Sequence, residues 1–292
     1  MNFASKLRAL RLRNGLSQER MADLLNVSRQ AGTKWETGRG LPDIANLATI
    51  ASLFGVSFDD LLSVDELPSC DAAPRFRSSV ESDVIRPSHF DVRLPGCLEL
   101  VVRTSSQEKL RVELSSPTLV DIERAYKVRI DESRNRLDVY VQRQPGVLDI
   151  DGQRALRIEV TLPASMCEEV EVSAITHVLR IIGLEAPVEY DGKASDVWLS
   201  GSNGAVTINC STGMEIRAEQ LPRLLEVNQV HASSGLHLAA PAVFEVEAKG
   251  SNKVTVDQAC HLTHDSADGC APSLVRVAGM NSELVIDCIG QS

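Results

Sequence analysis

SQERMADLLNVSRQAGTKWETG, residues 17–38, decides how the N-terminal part of the chain folds. Ser17 is a helix N-cap, and the apolar residues after it recur every three or four positions, which predicts a short amphipathic helix. Asn26 stands at the turn, because asparagine tolerates left-handed backbone. Ser28 caps a second helix, which Gly38 ends. The stretch therefore predicts two short helices joined by a tight turn.

The second helix, Ser28–Glu36, carries polar side chains on its outer side. They are Arg29, Gln30, Thr33 and Lys34. The capped N-terminal turn of such a helix enters the major groove of DNA first. Arginine pairs with guanine through two hydrogen bonds and glutamine pairs likewise with adenine, so these side chains are expected to read bases. The alternative is that they form only a solvated face.

A wider pattern surrounds this stretch. LSQE precedes the turn, SRQAGTKWETG contains it, Pro42 follows, and LFGVSFDDLL closes the pattern. With these landmarks, residues 16–62 resemble the Cro/C1-repressor (XRE) type of helix-turn-helix domain. The resemblance implies an all-α, five-helix, lambda-repressor-like DNA-binding domain. Gly32 departs from the family pattern, which has Val or Ile there, and predicts a looser recognition helix.

Contacts to the DNA backbone are expected around the recognition helix. The resemblance implies that Gln18 clamps a phosphate, helped by N–H groups at the start of its helix. Ser28 and Arg39 are the further residues that we expect at phosphates.

Three residues are expected to support the recognition helix. In the family, a helix-one arginine pairs with the glutamate that ends the recognition helix, and Arg11 and Glu36 stand at the matching positions. Such a pair fixes helix orientation more than it adds net stability. Trp35 is expected to pack in the core, the usual place for an indole in a small bundle.

Charge is distributed unevenly along the chain. The 292 residues carry a net charge of −10, and a hydrophobic content of 43% excludes wholesale disorder. Residues 1–40 contain eight cationic and three acidic side chains, a net of +5 that leaves −15 for the rest. A local basic face on an acidic body suits DNA, because a phosphate backbone responds to charge within roughly 8 Å.

No apolar run approaches the roughly 20 residues of a membrane span. The first residues, MNFASKLRALRLRNG, lack the apolar core of a signal peptide. Seven scattered cysteines, an odd number, are consistent with reduced thiols. We therefore expect a cytoplasmic protein without a membrane partner.

Three segments differ in their patterns. Residues 1–64 are helical, and residues 65–89, rich in serine and proline without periodicity, predict a linker. Residues 90–292 alternate with period two in more than ten short strands, which predicts an all-β domain. From about residue 150 this alternating pattern resembles the β-solenoid domains of bacterial candidate adhesins. The expected fold class of the whole chain is therefore multidomain α + β. An immunoglobulin-like β-sandwich over residues 90–165 is the alternative.

A metal site is a weak alternative near the C-terminus. Cys260, His261, His264 and Cys270 combine zinc-binding side chains. Their spacing matches no paired metal-binding motif, so a solvated turn is the default and no cofactor is expected. The sequence also contains no nucleophile or phosphate-binding fingerprint, which indicates a protein that is not an enzyme.

These features together predict a sequence-specific transcriptional regulator that binds double-stranded DNA. A single helix-turn-helix domain, called a head below, buries too little surface for tight binding to DNA, so a homodimer is expected. The β domain is expected to oligomerise or to sense an unknown effector. The alternatives are a ligand- or metal-sensing regulator, or a protein-interaction scaffold with a DNA-binding head.

Overall fold

The computed structural model describes residues 3–14, 16–54, 73–240, 242–257, 260–262 and 272–289. The chain divides into two compact units, Met1–Ser69 and Cys70–Ser292. Within the described ranges, no helix is both long and apolar enough to cross a membrane.

The first unit is a small helical bundle. Its helices are α1 (Phe3–Arg13), α2 (Gln18–Leu24), α3 (Arg29–Glu36) and α4 (Ile44–Phe54). Their apolar faces meet in a core formed by Leu7, Met21, Leu25, Trp35, Ile50 and Ala51. The predicted fifth helix, residues 57–62, lies outside the described residues.

The second unit consists almost entirely of strands. They are β1 (Phe76–Asp83), β2 (Ser88–Arg93), β3 (Cys97–Ser105), β4 (Lys109–Ser116), β5 (Tyr126–Ser133), β6 (Arg136–Arg143), β7 (Arg157–Pro163), β8 (Cys167–Ile182), β9 (Val188–Lys193), β10 (Asp196–Ser200), β11 (Ala205–Cys210), β12 (Glu215–Ala218), β13 (Leu224–Val230), β14 (Ser233–Ala239), β15 (Val243–Ala248), β16 (Lys253–Val256), β17 (His261–Leu262), β18 (Ser273–Met280) and β19 (Glu283–Ile289). Two short helices that the sequence analysis missed, α5 (Ile122–Ala125) and α6 (Asp149–Ala155), connect strands at one end.

Strand pairing divides the β unit into two sheets. The first sheet runs β1-β4-β7-β3-β8-β10-β12-β14-β19-β16. The second runs β5-β6-β2-β8-β9-β11-β13-β18-β15-β17. The long strand β8 takes part in both, because its first half pairs with β9 and its second half with β10.

From β9 to β16, consecutive strands alternate between the sheets and form the rungs of a solenoid. β9 and β10 make one rung, β11 and β12 the next, and neighbouring rungs pair in parallel. Antiparallel pairing, in the described part, is confined to the end that contains β1, β4 and β5. The predicted solenoid is confirmed, and it begins at β2 rather than at residue 150. The alternative sandwich over residues 90–165 is wrong, because β2, β3, β6 and β7 join the same two sheets in parallel.

The last rung of the chain is inserted between two earlier ones. β18 lies between β13 and β15, and β19 lies between β14 and β16. Local sequence periodicity carries no information about this order, so the sequence could not predict it.

The core lies between the sheets and follows from the alternation along each strand. In β11, Val206, Ile208 and Cys210 are buried and the residues between them are half-exposed. Every rung adds such a row to one continuous apolar cluster. Because side chains of a strand alternate between its faces, period two places most of the apolar residues on the inner side.

The prediction that residues 65–89 form a linker is wrong for the second half of that segment. Residues 76–83 form β1, and β2 begins at Ser88. The inward positions of β1 alternate Phe76, Ser78, Val80 and Ser82. Serine at two of these four positions hides the apolar periodicity. Residues 65–72 lie outside the described part of the chain.

One pair of cysteines is joined. Cys260 and Cys288 form a disulfide with Cα atoms 5.5 Å apart, a normal separation for such a bond. The expectation that the thiols are reduced is therefore wrong for this pair. The fold brings the segment before β17 against β19, although the two cysteines are 28 residues apart in sequence.

The inserted rung provides a test of the core. Ile286 of β19 is fully buried, whereas its neighbour Val285 is 42% exposed. We expect Ile286→Ala to lower the free energy of unfolding by about 2–5 kcal/mol, because it leaves a cavity. Val285→Ala, the matched control, should change it by less than about 0.5 kcal/mol. Equal losses in urea denaturation would contradict the position of β19.

Candidate nucleic-acid interface

The turn between α2 and α3 sets the direction of the recognition helix. The Ser17 hydroxyl accepts a hydrogen bond from the Arg20 N–H at 3.1 Å, and the Ser28 hydroxyl accepts one from the Ala31 N–H at 3.2 Å. Each serine satisfies an N–H group at a helix start that has no partner within the helix. Between the helices, Asn26 has a φ of 54°, the left-handed conformation that the turn needs.

The outer side of α3 presents the predicted base-reading residues. Arg29, Gln30 and Lys34 are exposed, and Thr33 is half-buried. The Thr33 hydroxyl donates to the Arg29 carbonyl at 2.9 Å. Its proton is thus engaged inside the helix, and its methyl group and oxygen lone pairs remain for contact with a base.

The predicted phosphate contacts lie at both ends of α3 and at the start of α2. Ser28 and Arg39 are exposed, and Gln18 is half-buried. The Gln18 amide nitrogen donates to Glu36 Oε2 at 2.8 Å, a bond that sequence reasoning missed. A primary amide has two N–H donors. One donor therefore orients Gln18 within the protein, and the second is left for a phosphate.

A buried ion pair holds α1 against the end of α3. Arg11 Nε donates to Glu36 Oε1 at 2.5 Å, and a second guanidinium nitrogen donates to Glu36 Oε2 at 3.1 Å. The third donates to the Leu16 carbonyl at 2.8 Å. The Glu36 side chain is 0% exposed. Arg11 and Glu36 thus form the two-pronged pair that the resemblance implied, and Gln18 adds another donor to the same carboxylate.

Gly32 and Trp35 lie on the inner side of α3, and both are buried. A Cβ atom added at Gly32 would meet Met21 Cε at 3.5 Å and Ala22 Cβ at 3.9 Å, which are ordinary van der Waals distances. The helix therefore packs on α2 with room for a methyl group. The structure thus shows no steric need for glycine at this position; the looser recognition helix stays a prediction from the low helix propensity of glycine.

The weakly indicated metal site near the C-terminus lacks one of its candidate ligands. Cys260 is bonded to Cys288, and His264 and Cys270 lie outside the described residues. His261 lies in β17, but the structure does not describe its side chain. Among the described residues, no cluster of three or more His, Cys, Asp or Glu side chains could hold a metal ion.

His237 is a feature of the β unit that the sequence did not indicate. Its two ring nitrogens lie 2.7 Å from Glu215 Oε2 and 2.7 Å from Asp287 Oδ1. Burial lowers its pKa, but the hydrogen bonds to both carboxylates outweigh this, and the pKa is raised overall. The imidazole thus links β12, β14 and β19.

Two of the free cysteines are poorly suited to nucleophilic chemistry. Burial raises the pKa of Cys97 to about 12 and also raises that of Cys167 to about 12. Both thiols remain protonated near neutral pH, and the thiolate is the reactive form.

Comparisons with known proteins concern mainly the helical unit. Residues 7–61 match the family described as "Helix-turn-helix". A transcriptional activator of Enterococcus faecalis, BcrR, is 46% identical over 67 residues, which are 23% of this chain and 33% of that protein. The regulator YonR of Bacillus subtilis is 42% identical over 60 residues, 20% of this chain and 56% of that protein. The chain thus spans between a third and about half of the length of these relatives.

The chain also has weak structural likenesses to solved proteins. A candidate cell adhesion protein of Clostridium sporogenes has a TM-score of 0.34 and 9% identity, covering 73% of this chain and 100% of that one. A candidate adhesin of Bacteroides fragilis has a TM-score of 0.34 and 9% identity, covering 74% and 98%. Likenesses this low carry no argument about function.

Gly32→Ala should stabilise the helical unit by about 1 kcal/mol, because alanine has the higher helix propensity and its methyl group fits against Met21 and Ala22. Thermal and urea unfolding measure the change. Gly38, with a φ of 70°, is the opposite control. Gly38→Ala strains the backbone and should destabilise the unit. A loss of stability in Gly32→Ala would show that the α2–α3 packing is tighter than described.

Glu36→Ala should cost about 3–5 kcal/mol, because it leaves the Arg11 guanidinium buried without its carboxylate. The double variant Arg11→Met/Glu36→Leu, which removes both charges, should recover most of that loss. Urea denaturation of the three proteins is the measurement. If the single variant loses less than about 1 kcal/mol, the pair does not hold the recognition helix in place.

Proposed function

We propose that this protein is a cytoplasmic, sequence-specific transcriptional regulator that reads the major groove with α3. The observation that carries the proposal is the geometry of α3. The helix begins at a capped serine, presents Arg29, Gln30 and Lys34 to solvent, and is fixed from behind by a buried ion pair. Curated relatives that share this region support the proposal, since they are described as transcriptional regulators.

The proposed contacts divide into two classes. Arg29 and Gln30 at the N-terminal turn reach base edges, with Thr33 and Lys34 one turn further along. Gln18, Ser28 and Arg39 contact phosphates and fix the register of the head on the duplex. Ser28 would contact a phosphate through its backbone N–H, because its hydroxyl oxygen already accepts the Ala31 N–H as the cap of α3.

For the β unit we propose oligomerisation rather than effector sensing. Two heads on adjacent half-sites need a shared body, and the solenoid supplies one. A cavity of about 230 Å³, lined partly by Ala218, Leu221, Leu238 and Val243, is smaller than the roughly 300–1,000 Å³ of ordinary ligand sites. A second cavity, of about 730 Å³, is lined mainly by charged and polar residues such as Glu81 and Arg111, whereas apolar side chains predominate in ordinary ligand sites. The Cys260–Cys288 bond would be unusual in a reducing cytoplasm; it belongs to the β unit, whereas the residues proposed to contact DNA belong to the helical unit.

Selection of bound sequences from a random DNA pool tests the base-reading assignment. We expect a short palindromic motif for the full chain. Arg29→Ala and Gln30→Ala should each relax the selected motif at one position per half-site, at a cost of about 1–3 kcal/mol. An unchanged motif in both variants would mean that α3 does not read bases.

Salt dependence separates phosphate contacts from base contacts. We expect Arg39→Ala to weaken binding to all sequences alike and to reduce the slope of log affinity against log salt by about 1 per head. Lys249→Ala, which removes an exposed cation from the β unit, is the matched control and should leave the slope unchanged. An equal effect of both variants would argue for nonspecific attraction alone.

A further inference from the structure

β1 is an edge strand of the first sheet, and the short helix α5 lies near it. Among the described strands it pairs with β4 alone, from Phe76 opposite Ser116 to Asp83 opposite Lys109. An unpaired edge presents a row of N–H and C=O groups to which another strand can bond. β16 and β17 also lie at edges, but they contain four and two residues, against eight in β1.

The hydrogen bonds to β4 show which residues of β1 face the open edge. The Val84 N–H, directly after β1, donates to the Glu108 carbonyl at 3.0 Å and continues the register of the ladder. The Arg75 N–H, directly before β1, donates to the Ser116 carbonyl at 3.0 Å, one residue out of that register, so the regular pattern begins at Phe76. In antiparallel pairs, residues that exchange such bonds recur at every second position. Even-numbered residues of β1 therefore bond to β4, and odd-numbered residues turn their N–H and C=O groups outward.

The same odd-numbered residues carry exposed side chains with a self-complementary charge pattern. Along the strand, the cationic Arg77 precedes Ser79, and the acidic Glu81 and Asp83 follow Ser79. The even-numbered side chains of β1 are half-buried. Rotation about a two-fold axis through Ser79 places Arg77 of one copy opposite Glu81 of the other, and this happens twice. Opposite charges directly across an antiparallel pair attract, and two-fold interfaces repeat each contact.

Both charged residues remain available for a partner. Arg77 is 63% exposed and lies 3.4 Å from Glu113. Glu81 is 46% exposed and lies 3.7 Å from both Lys109 and Arg111. Contacts of this length between exposed side chains hold neither residue firmly. The other long edge, β5, differs, because its Arg129 already pairs with Asp131 of the same strand at 2.8 Å.

We propose that β1 is the dimer contact of this protein, formed when a second copy adds its own β1 antiparallel to the open edge, with the two-fold axis at Ser79. The inference rests on the proposed function, since it supplies the two-headed body that a palindromic operator needs. The two β1 strands start about 20 Å apart, from six residues at about 3.4 Å each. The chain that precedes each strand leads to a head, and the half-sites are about 34 Å apart.

Charge reversal in the full chain tests the contact. Analytical ultracentrifugation should show a dimer for the wild type, and Arg77→Glu or Glu81→Arg should raise its dissociation constant at least about tenfold, because each places like charges across the axis. The double variant Arg77→Glu/Glu81→Arg restores opposite charges and should regain the wild-type constant. Arg129→Glu on β5 is the matched control and should have no effect.

A backbone variant tests the strand pairing itself. Ser79→Pro removes an N–H group that faces the open edge and spares the bonds to β4, so the dimer should be lost while the melting temperature changes little. The proposal is overturned if the wild type is a monomer, if Ser79→Pro stays dimeric, or if the double charge variant fails to recover.

Binding to a single half-site, measured on the same proteins, separates the two proposals. If the wild type binds a half-site but the β1 variants do not change its dimerisation, only the edge contact is overturned. If the wild type is a dimer but shows no salt-dependent binding to a half-site, only the DNA-binding function is overturned.

Discussion

The buried pair between Arg11 and Glu36 is the interaction on which the proposed interface depends. A carboxylate with no exposed surface is stable only if donors surround it, and Arg11 and Gln18 supply them. The pair therefore fixes the end of α3 against α1, while the Ser28 cap fixes its start. Between these two points the outer side of the helix has a defined direction, which base recognition requires.

The β unit depends on a different constraint, the burial of apolar rows between two parallel sheets. Each rung covers the rung before it, so the solenoid is stable only as a stack and its ends must be closed. The antiparallel strands β4 and β5 and the short helix α5 lie at one end. At the other end, a disulfide joins Cys260 to the inserted strand β19.

Much of the fold and of the proposed interface could be predicted from sequence, because these features depend on local patterns. The caps at Ser17 and Ser28, the turn at Asn26 and the alternation in β11 are encoded within a few residues. The linker prediction was wrong because two serines interrupt the apolar face of β1. The insertion of β18 and β19, the Cys260–Cys288 bond and the Gln18–Glu36 hydrogen bond all join residues distant in sequence, and no periodicity reports such contacts.

Methylation interference tests most directly whether Arg29 pairs with a guanine in the major groove. A methyl group on guanine N7 blocks the acceptor that a two-pronged arginine uses. We expect methylation of one guanine per half-site to weaken binding of the wild-type chain strongly. The same modification should have no further effect on Arg29→Ala. Equal sensitivity of both proteins to that methyl group would mean that Arg29 does not pair with the guanine.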